Sequence, residues 1–397
     1  MSRAPGRRVV LSCGEASGDL HASSLVDHLL HIAPGVHIEA LGGAHCERAG
    51  ARVVHDYRRY AMLGFSGILP RLVDLYRLER DMKRRIRGAD LFIAVDYPGM
   101  NLRLAHWARR CHVPVLYYIA PQVWAWGAGR ARKMARFVDR LAVILPFEEE
   151  IFRNAGVATE YVGHPFAAED SPQSRDFRPQ PETAAGGEAP AASEHGETTG
   201  AEARTQRSSA VALLPGSRRG EVDRVLPVML GAARVLQGNR PDLRFELGCS
   251  PAVAPGVYRR HLAATELSVT ICHDTADLIK RAGFALVASG TATLQTALAG
   301  TPMVIVYRVS TLNFVMARAL IRIDTIGLVN VVLGRAVAPE LIQRDASVER
   351  IAAEVGRLMD DEEEIARMKV EFSRLRGLLS GGRGSARVAE IAAELMS

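Results

Sequence analysis

The chain alternates between short apolar runs of strand length and longer segments whose apolar residues recur at helical spacing. Residues 8–13 read as a strand, 14–19 as a tight polar loop and 20–31 as an amphipathic helix. Further buried strands are expected at 36–41, 91–95, 113–119, 140–145 and 160–162, with helices at 101–110 and 148–155 between them. The alternation stops near Phe166. From there to Ser209, Pro172, Pro179, Pro181 and Pro190 stand among Ala, Gly, Glu, Ser and Thr. So few large apolar residues cannot bury enough surface to offset the entropy of ordering the segment. The pattern then restarts with a strand at 210–214, a turn at 215–218 and a helix at 221–237. Strands follow at 244–247, 269–272, 285–288 and 303–307. Strand–helix alternation with short links implies parallel sheets covered on both faces. The expected architecture is α/β, with two doubly wound domains over 1–166 and 210–375. A low-complexity linker fills 167–209, and a C-terminal helical segment covers 376–397.

Composition narrows the class. The chain has 397 residues, 48% hydrophobic and 24% charged, which suits a two-domain globular protein. Residues 282–307 carry no charge, but their Ser, Thr, Gly, Gln and Pro are spaced as strand, turn and helix, so no transmembrane segment is expected. The basic stretch at 1–8 leads into a short apolar run, too short for a secretory signal. Five cysteines are scattered without a C-x-x-C pair, which argues against a zinc site or disulfide framework and fits the cytosol.

The net charge of +6 is unevenly placed: residues 58–87 hold nine Lys/Arg against three acids. Met62, Leu63 and Phe65, then Ile68, Leu69, Leu72, Leu75 and Tyr76, set apolar groups at helical spacing beside that cluster. A helix lying on an anionic bilayer has this pattern, and so does an ordinary core-facing helix. No nucleic-acid-binding motif accompanies the charge, so no nucleic-acid partner is expected.

In open α/β sheets, ligands bind beyond the carboxyl ends of strands, where loops lead into helix N-termini. Four loops here are rich in glycine and polar residues. The first, Gly14-Glu15-Ala16-Ser17-Gly18-Asp19, permits close backbone approach, and Asp19 can cap the following helix. It lacks the G-x-G-x-x-G spacing of a dinucleotide site, and a plain strand–helix turn accounts for it equally. The second, Asp96-Tyr97-Pro98-Gly99-Met100-Asn101, sets a carboxylate at a strand end, as a general base for a hydroxyl or as a turn residue. The third, Pro215-Gly216-Ser217-Arg218, suits a phosphate through backbone donors and a fixed charge, without Walker A spacing. The fourth, Ser289-Gly290-Thr291, opens a helix with small residues, either as room for an anion with Gln295 one turn on in reach of a ribose hydroxyl or as a tightly packed helix start. Trp124 and Trp126 are either a platform for sugar or acyl chains or simply core.

Eight stretches together resemble the lipid-A-disaccharide synthase family over nearly the whole chain outside the insertion. They are 12–19, Val95-Asp96-Tyr97-Pro98, 121–126, Leu145-Pro146-Phe147-Glu148, Gly163-His164-Pro165, 214–218, 288–291 and Tyr307-Arg308. The resemblance implies a GT-B glycosyltransferase, with two Rossmann-like domains facing a central cleft. It implies transfer of a diacylated glucosamine from UDP to the 6-hydroxyl of a diacylglucosamine 1-phosphate, with inversion and with neither metal nor cofactor. Asp96 matches the family's proposed catalytic aspartate, and Arg218 and Asn330 match donor-site residues. Peripheral attachment to the cytoplasmic face of the inner membrane through 62–76 is implied as well, as is a homodimer with exchanged C-terminal segments. Two departures stand out: Gln295 replaces the usual glutamate, and Val329 precedes Asn330 where proline is common. An inverting N-acetylglucosamine transferase or UDP-sugar epimerase would share the loops without needing acyl chains. A non-catalytic sugar-nucleotide or lipid-binding module would bind without turnover.

Overall fold

The computed structural model describes residues 6–61, 68–122, 129–167, 209–309 and 325–397. The chain divides into two compact units. The second holds Phe177–Ser310 and Thr325–Leu375, while Arg376–Ser397 returns to the first.

The first unit runs β1 (Arg8–Cys13), α1 (Ala16–Ile32), β2 (His37–Gly42), α2 (Ala44–Arg48), β3 (Arg52–Asp56), α3 (Arg58–Ala61) and α4 (Ile68–Ile86). It continues with β4 (Leu91–Val95), α5 (Pro98–Arg110), β5 (Val115–Tyr118), α6 (Gly129–Met134), β6 (Arg140–Val143), α7 (Pro146–Asn154) and β7 (Thr159–Tyr161). Its seven strands are all parallel, in the order β3-β2-β1-β4-β5-β6-β7. The two-residue period of a strand sends alternate side chains to opposite faces. Val9, Leu11 and Cys13 meet Leu25 and Leu29 of α1 on one face. On the other, Val10 meets Met82 of α4 and Leu104 of α5. Both faces are therefore dry.

The second unit runs β8 (Ala210–Leu214), α8 (Arg219–Asn239), β9 (Arg244–Gly248), α9 (Pro255–Leu262), β10 (Val269–Cys272), α10 (Thr275–Arg281) and β11 (Phe284–Ala288). Next come α11 (Thr291–Ala299), β12 (Met303–Tyr307), α12 (Leu328–Leu333), β13 (Glu340–Ile342), α13 (Val348–Asp360) and α14 (Glu362–Leu379), whose end from Arg376 on belongs to the first unit. Its parallel sheet has the order β10-β9-β8-β11-β12-β13. The last helix, α15 (Ser385–Met396), belongs to the first unit and lies against α1 there.

Sequence reading misses β3 and β13. Both are edge strands, and β3 is partly exposed along its length, so neither shows a continuous apolar run. The first loop is also shorter than expected. Helix α1 begins at Ala16, so Ser17, Gly18 and Asp19 are already helical.

Candidate functional site

In each sheet the strand order reverses once, between β1 and β4 in the first and between β8 and β11 in the second. Such switch points open a crevice at the carboxyl edge. The four glycine-rich loops follow these four strands, two at each switch point.

In the first unit Cys13 pairs with Val95, which brings the loops after β1 and β4 together. The chain there is strained: Asp96, Tyr97 and Ile119 have φ of +47°, +48° and +65°. Left-handed backbone costs a non-glycine residue about 1–3 kcal/mol, so the surroundings must enforce it. Asn101 does much of this. Fully buried, its amide donates to the carbonyls of Ser12 (3.0 Å), Val95 (3.2 Å) and Asp96 (2.8 Å), and it accepts from the Ser12 hydroxyl at 2.6 Å. The Tyr117 hydroxyl donates to the same Asp96 carbonyl at 2.8 Å. Burial, and then the Asp96 charge, push that phenol's ionisation well above its usual range. The Tyr97 ring lies over Gly14, where a Cβ would sit 2.3 Å from it. Asp96 is thus a half-buried carboxylate on a clamped elbow.

Glu15 stands at the N-cap of α1 without a side-chain capping bond, and Ser17 is exposed in its first turn. Asp19 corrects an expectation. Its buried carboxylate caps α2 rather than its own helix, accepting from the amides of Gly43 (2.7 Å), His45 (3.1 Å) and Cys46 (3.2 Å). The scattered cysteines also meet in part: ligand atoms of Cys13, Asp19 and Cys46 lie within 4.8 Å of one another. The Cys46 thiol is pushed far up by its hydrogen bond to Cys13 and by burial. With that thiol held protonated and the carboxylate engaged by three amides, the trio fits packing rather than metal ligation.

In the second unit Gly290 is the N-cap of α11, and a Cβ there would meet open space. Thr291 is exposed beside it, Gln295 is half-exposed one turn on, and the Ser289 hydroxyl donates to the Ile326 carbonyl at 3.0 Å. This helix start is suited to an anion. The other one differs from expectation. The amides of Ser217 and Arg218, read from sequence as phosphate donors, already donate to the Glu221 carboxylate at 3.1 and 3.2 Å. What the loop presents outward is the exposed Arg218 side chain. Asn330 is likewise engaged by its own chain. Its buried amide donates to Ala338 and Glu340, both at 2.7 Å, and accepts from the amides of Val337 (2.8 Å) and Ala338 (3.0 Å). Glu340 also takes the amides of Ile326 and Gly327. Asn330 therefore shapes the loop against which Ser289 is held, and touching a ligand would mean breaking one of these bonds.

Met62, Leu63, Phe65, Trp124 and Trp126 lie outside the described residues, as do the side chains of Ile68, Leu69 and Leu72. Tyr76 is 67% exposed on α4. Part of the basic cluster is neutralised locally, since Arg58, Lys83, Arg84 and Arg85 pair with Asp56, Glu79 and Asp81. Sequence reading missed Asn101, Ile119 and Glu221 as site-forming residues. Only Glu221 carried a signal, as a carboxylate three residues after the helix N-cap.

A family model described as lipid-A-disaccharide synthetase matches residues 9–181 and 192–394. The chain is 39% identical over 399 residues to the lipid-A-disaccharide synthase of Geobacter metallireducens, covering 100% of this chain and 99% of the relative. It is 40% identical to that of Syntrophus aciditrophicus, covering 98% and 97%. Among solved structures, a UDP-GlcNAc 2-epimerase from Neisseria meningitidis bound to UDP-GlcNAc superposes with a TM-score of 0.60 at 11% identity, covering 98% of each chain. The calicheamicin glycosyltransferase CalG4 gives 0.58 at 14%, also over 98% of each. These likenesses show the fold, GT-B.

Proposed function

Since the chain belongs to the lipid-A-disaccharide synthase family, hexosyltransferases of lipid A biosynthesis, we propose that it joins UDP-2,3-diacylglucosamine to 2,3-diacylglucosamine 1-phosphate. The observation that carries this reading is the clamped Asp96 elbow at the switch point of the first sheet. Asp96 takes the proton of the acceptor 6-hydroxyl as that oxygen attacks the anomeric carbon. The bond from that carbon to the diphosphate breaks, UDP leaves and the configuration inverts. The first unit's loops, with Glu15, Ser17, Trp124 and Trp126, serve the acceptor. In the second, Arg218 and the start of α11 hold the diphosphate while Gln295 meets the ribose, with Gly216, Ser217 and Asn330 as their support. Preorganised donors of this kind are worth roughly 3–4 kcal/mol each in a transition state.

Both substrates carry acyl chains, and no described helix is long and apolar enough to cross a membrane. We place the enzyme on the cytoplasmic face of the inner membrane, held by Met62, Leu63, Phe65, Ile68, Leu69, Leu72 and Tyr76. Arg87 and Arg110, 5.7 and 5.9 Å from the Trp107 ring, support an anionic surface as partner. A homodimer exchanging the segment that holds α15, so that the contacts made here within one chain form between two, completes the proposal; light scattering at twice the chain mass checks the dimer.

The test is UDP release from the acylated donor with and without acceptor. Release should require the acceptor, and Asp96→Asn should cut it by roughly 10²–10⁴-fold while UDP still binds. Loss of UDP binding together with turnover would make Asp96 structural. Binding without release would favour the non-catalytic module.

A further inference from the structure

The turn after β8 carries a carboxylate where a phosphate was expected. Gly216 has φ +108°, and a Cβ on it would come within 2.5 Å of a Glu221 carboxylate oxygen. One Glu221 oxygen accepts from the amides of Ser217 (3.1 Å) and Arg218 (3.2 Å), and the other from the Arg218 guanidinium (3.2 Å). A capping box asks this residue only to reach back to the N-cap amide. Here it also holds the preceding amide and the guanidinium. Tyr307, at the end of β12, faces the same pair: after burial, the Glu221 charge raises its ionisation and Arg218 opposes it.

Two consequences follow. An incoming phosphate would have to displace a carboxylate from those amides against like-charge repulsion, so this turn offers the donor a guanidinium and not an amide nest. The guanidinium is also a long, exposed side chain, whose rotamer freedom costs about 1.5–2 kcal/mol to restrict unless something restricts it beforehand. We infer that Glu221 is a positioning residue for the donor: it closes the 216–218 amides to phosphate and fixes the Arg218 guanidinium for the diphosphate. This rests on the proposed role of Arg218 in the donor site.

Calorimetric titration of the full-length protein with UDP tests it, using Arg218→Ala, Glu221→Ala, Glu221→Gln and the Arg218→Ala/Glu221→Ala double variant, each shown by its melting curve to be folded. Arg218→Ala should weaken UDP by about tenfold or more, and Glu221→Ala by roughly 5–10-fold. The double variant should be no weaker than Arg218→Ala within about twofold, because both act through one contact. Glu221→Gln keeps an oxygen for the amides but not the charge, and should fall between wild type and Glu221→Ala. It carries the test if the alanine variant does not fold. The donor KM should rise in these variants while the acceptor KM holds. A merely structural cap would instead lower the melting temperature with UDP affinity unchanged, and a merely competing anion would give tighter UDP binding without Glu221. Either result, or single effects that simply multiply, overturns the inference. An Arg218→Ala variant with wild-type UDP affinity would overturn the donor-site reading itself and the inference with it.

Discussion

Asn101 shows how much of the proposed site resides in groups that hold a reacting residue in place: its amide bonds clamp the backbone on which Asp96 stands. Asp96 is visible in the sequence as a carboxylate ending an apolar run before Tyr97-Pro98, but that pattern alone reads equally as a turn residue, and only the family resemblance points it to catalysis. The role of Asn101 is not visible. Its hydrogen bonds reach Ser12, 89 residues away, and no local pattern encodes that closure. Ile119 is hidden for another reason, since nothing marks a β-branched residue for left-handed backbone. His164, in the Gly163-His164-Pro165 stretch, supports a pH prediction. It is fully buried, its Nδ1 accepts from the Phe166 amide at 3.2 Å, and burial with His21 nearby pushes its pKa down to about 3. The unfolded chain binds a proton near pH 6.5 that the native state refuses until about pH 3. Stability from the neutral ring is therefore complete above pH 6.5 and is lost on acidification, by up to about 1.4 kcal/mol per pH unit. Urea unfolding from pH 7 to 4 should show a flatter acid limb for His164→Gln. An unchanged slope would mean that His164 titrates normally.

At the scale of elements, the central strands and their helices follow directly from apolar periodicity. The final helix, α15, is expected from sequence only as part of a C-terminal helical segment, and its residue pattern gives no hint of where it docks. The structure brings it to the first unit, with Val388, Ile391 and Ala392 in the core beside β1 and α1. Main-chain bonds fix its approach: the His164 amide donates to Leu379 at 3.0 Å and the Gly384 amide to Val162 at 2.6 Å. Arg387 adds a contact to Glu160 of β7 (2.6 Å) and, within α15 itself, one to Glu394 (2.9 Å). These side chains are partly exposed, so the pairs contribute about 1 kcal/mol or less each, and apolar burial dominates. Ile391→Ala should destabilise the first unit by about 2–4 kcal/mol, whereas Arg387→Ala should cost about 1 kcal/mol. Chemical denaturation of the two variants decides the order. A larger loss for Arg387→Ala would mean that the ion pairs, and not apolar burial, hold this helix in place.

For the whole molecule, charge is unevenly distributed along the sequence, and the proposed substrates give that a use. The basic stretch at 58–87 equals the net charge of +6 by itself, although several of its arginines are held by neighbouring carboxylates. Under the proposed membrane attachment, charge alone would bind weakly, and the apolar residues at 62–72 would supply most of the affinity. Co-sedimentation with anionic vesicles should fall when Met62, Leu63 and Phe65 are replaced by serine. It should fall only partly when salt is raised from about 0.1 to about 0.5 M, since screening acts on the charges alone. Equal binding by the triple variant would remove this segment from the contact.

The most direct test of the central claim is the product itself. Purified protein is incubated with UDP-2,3-diacylglucosamine and 2,3-diacylglucosamine 1-phosphate in mixed micelles, and the product is characterised by mass spectrometry and by proton coupling at the new anomeric centre. A tetra-acylated disaccharide 1-phosphate, linked through the acceptor's 6-oxygen with configuration opposite to the donor's, is the predicted result. Retained configuration would contradict the single displacement at Asp96, and donor consumed without a disaccharide would contradict the transferase reading.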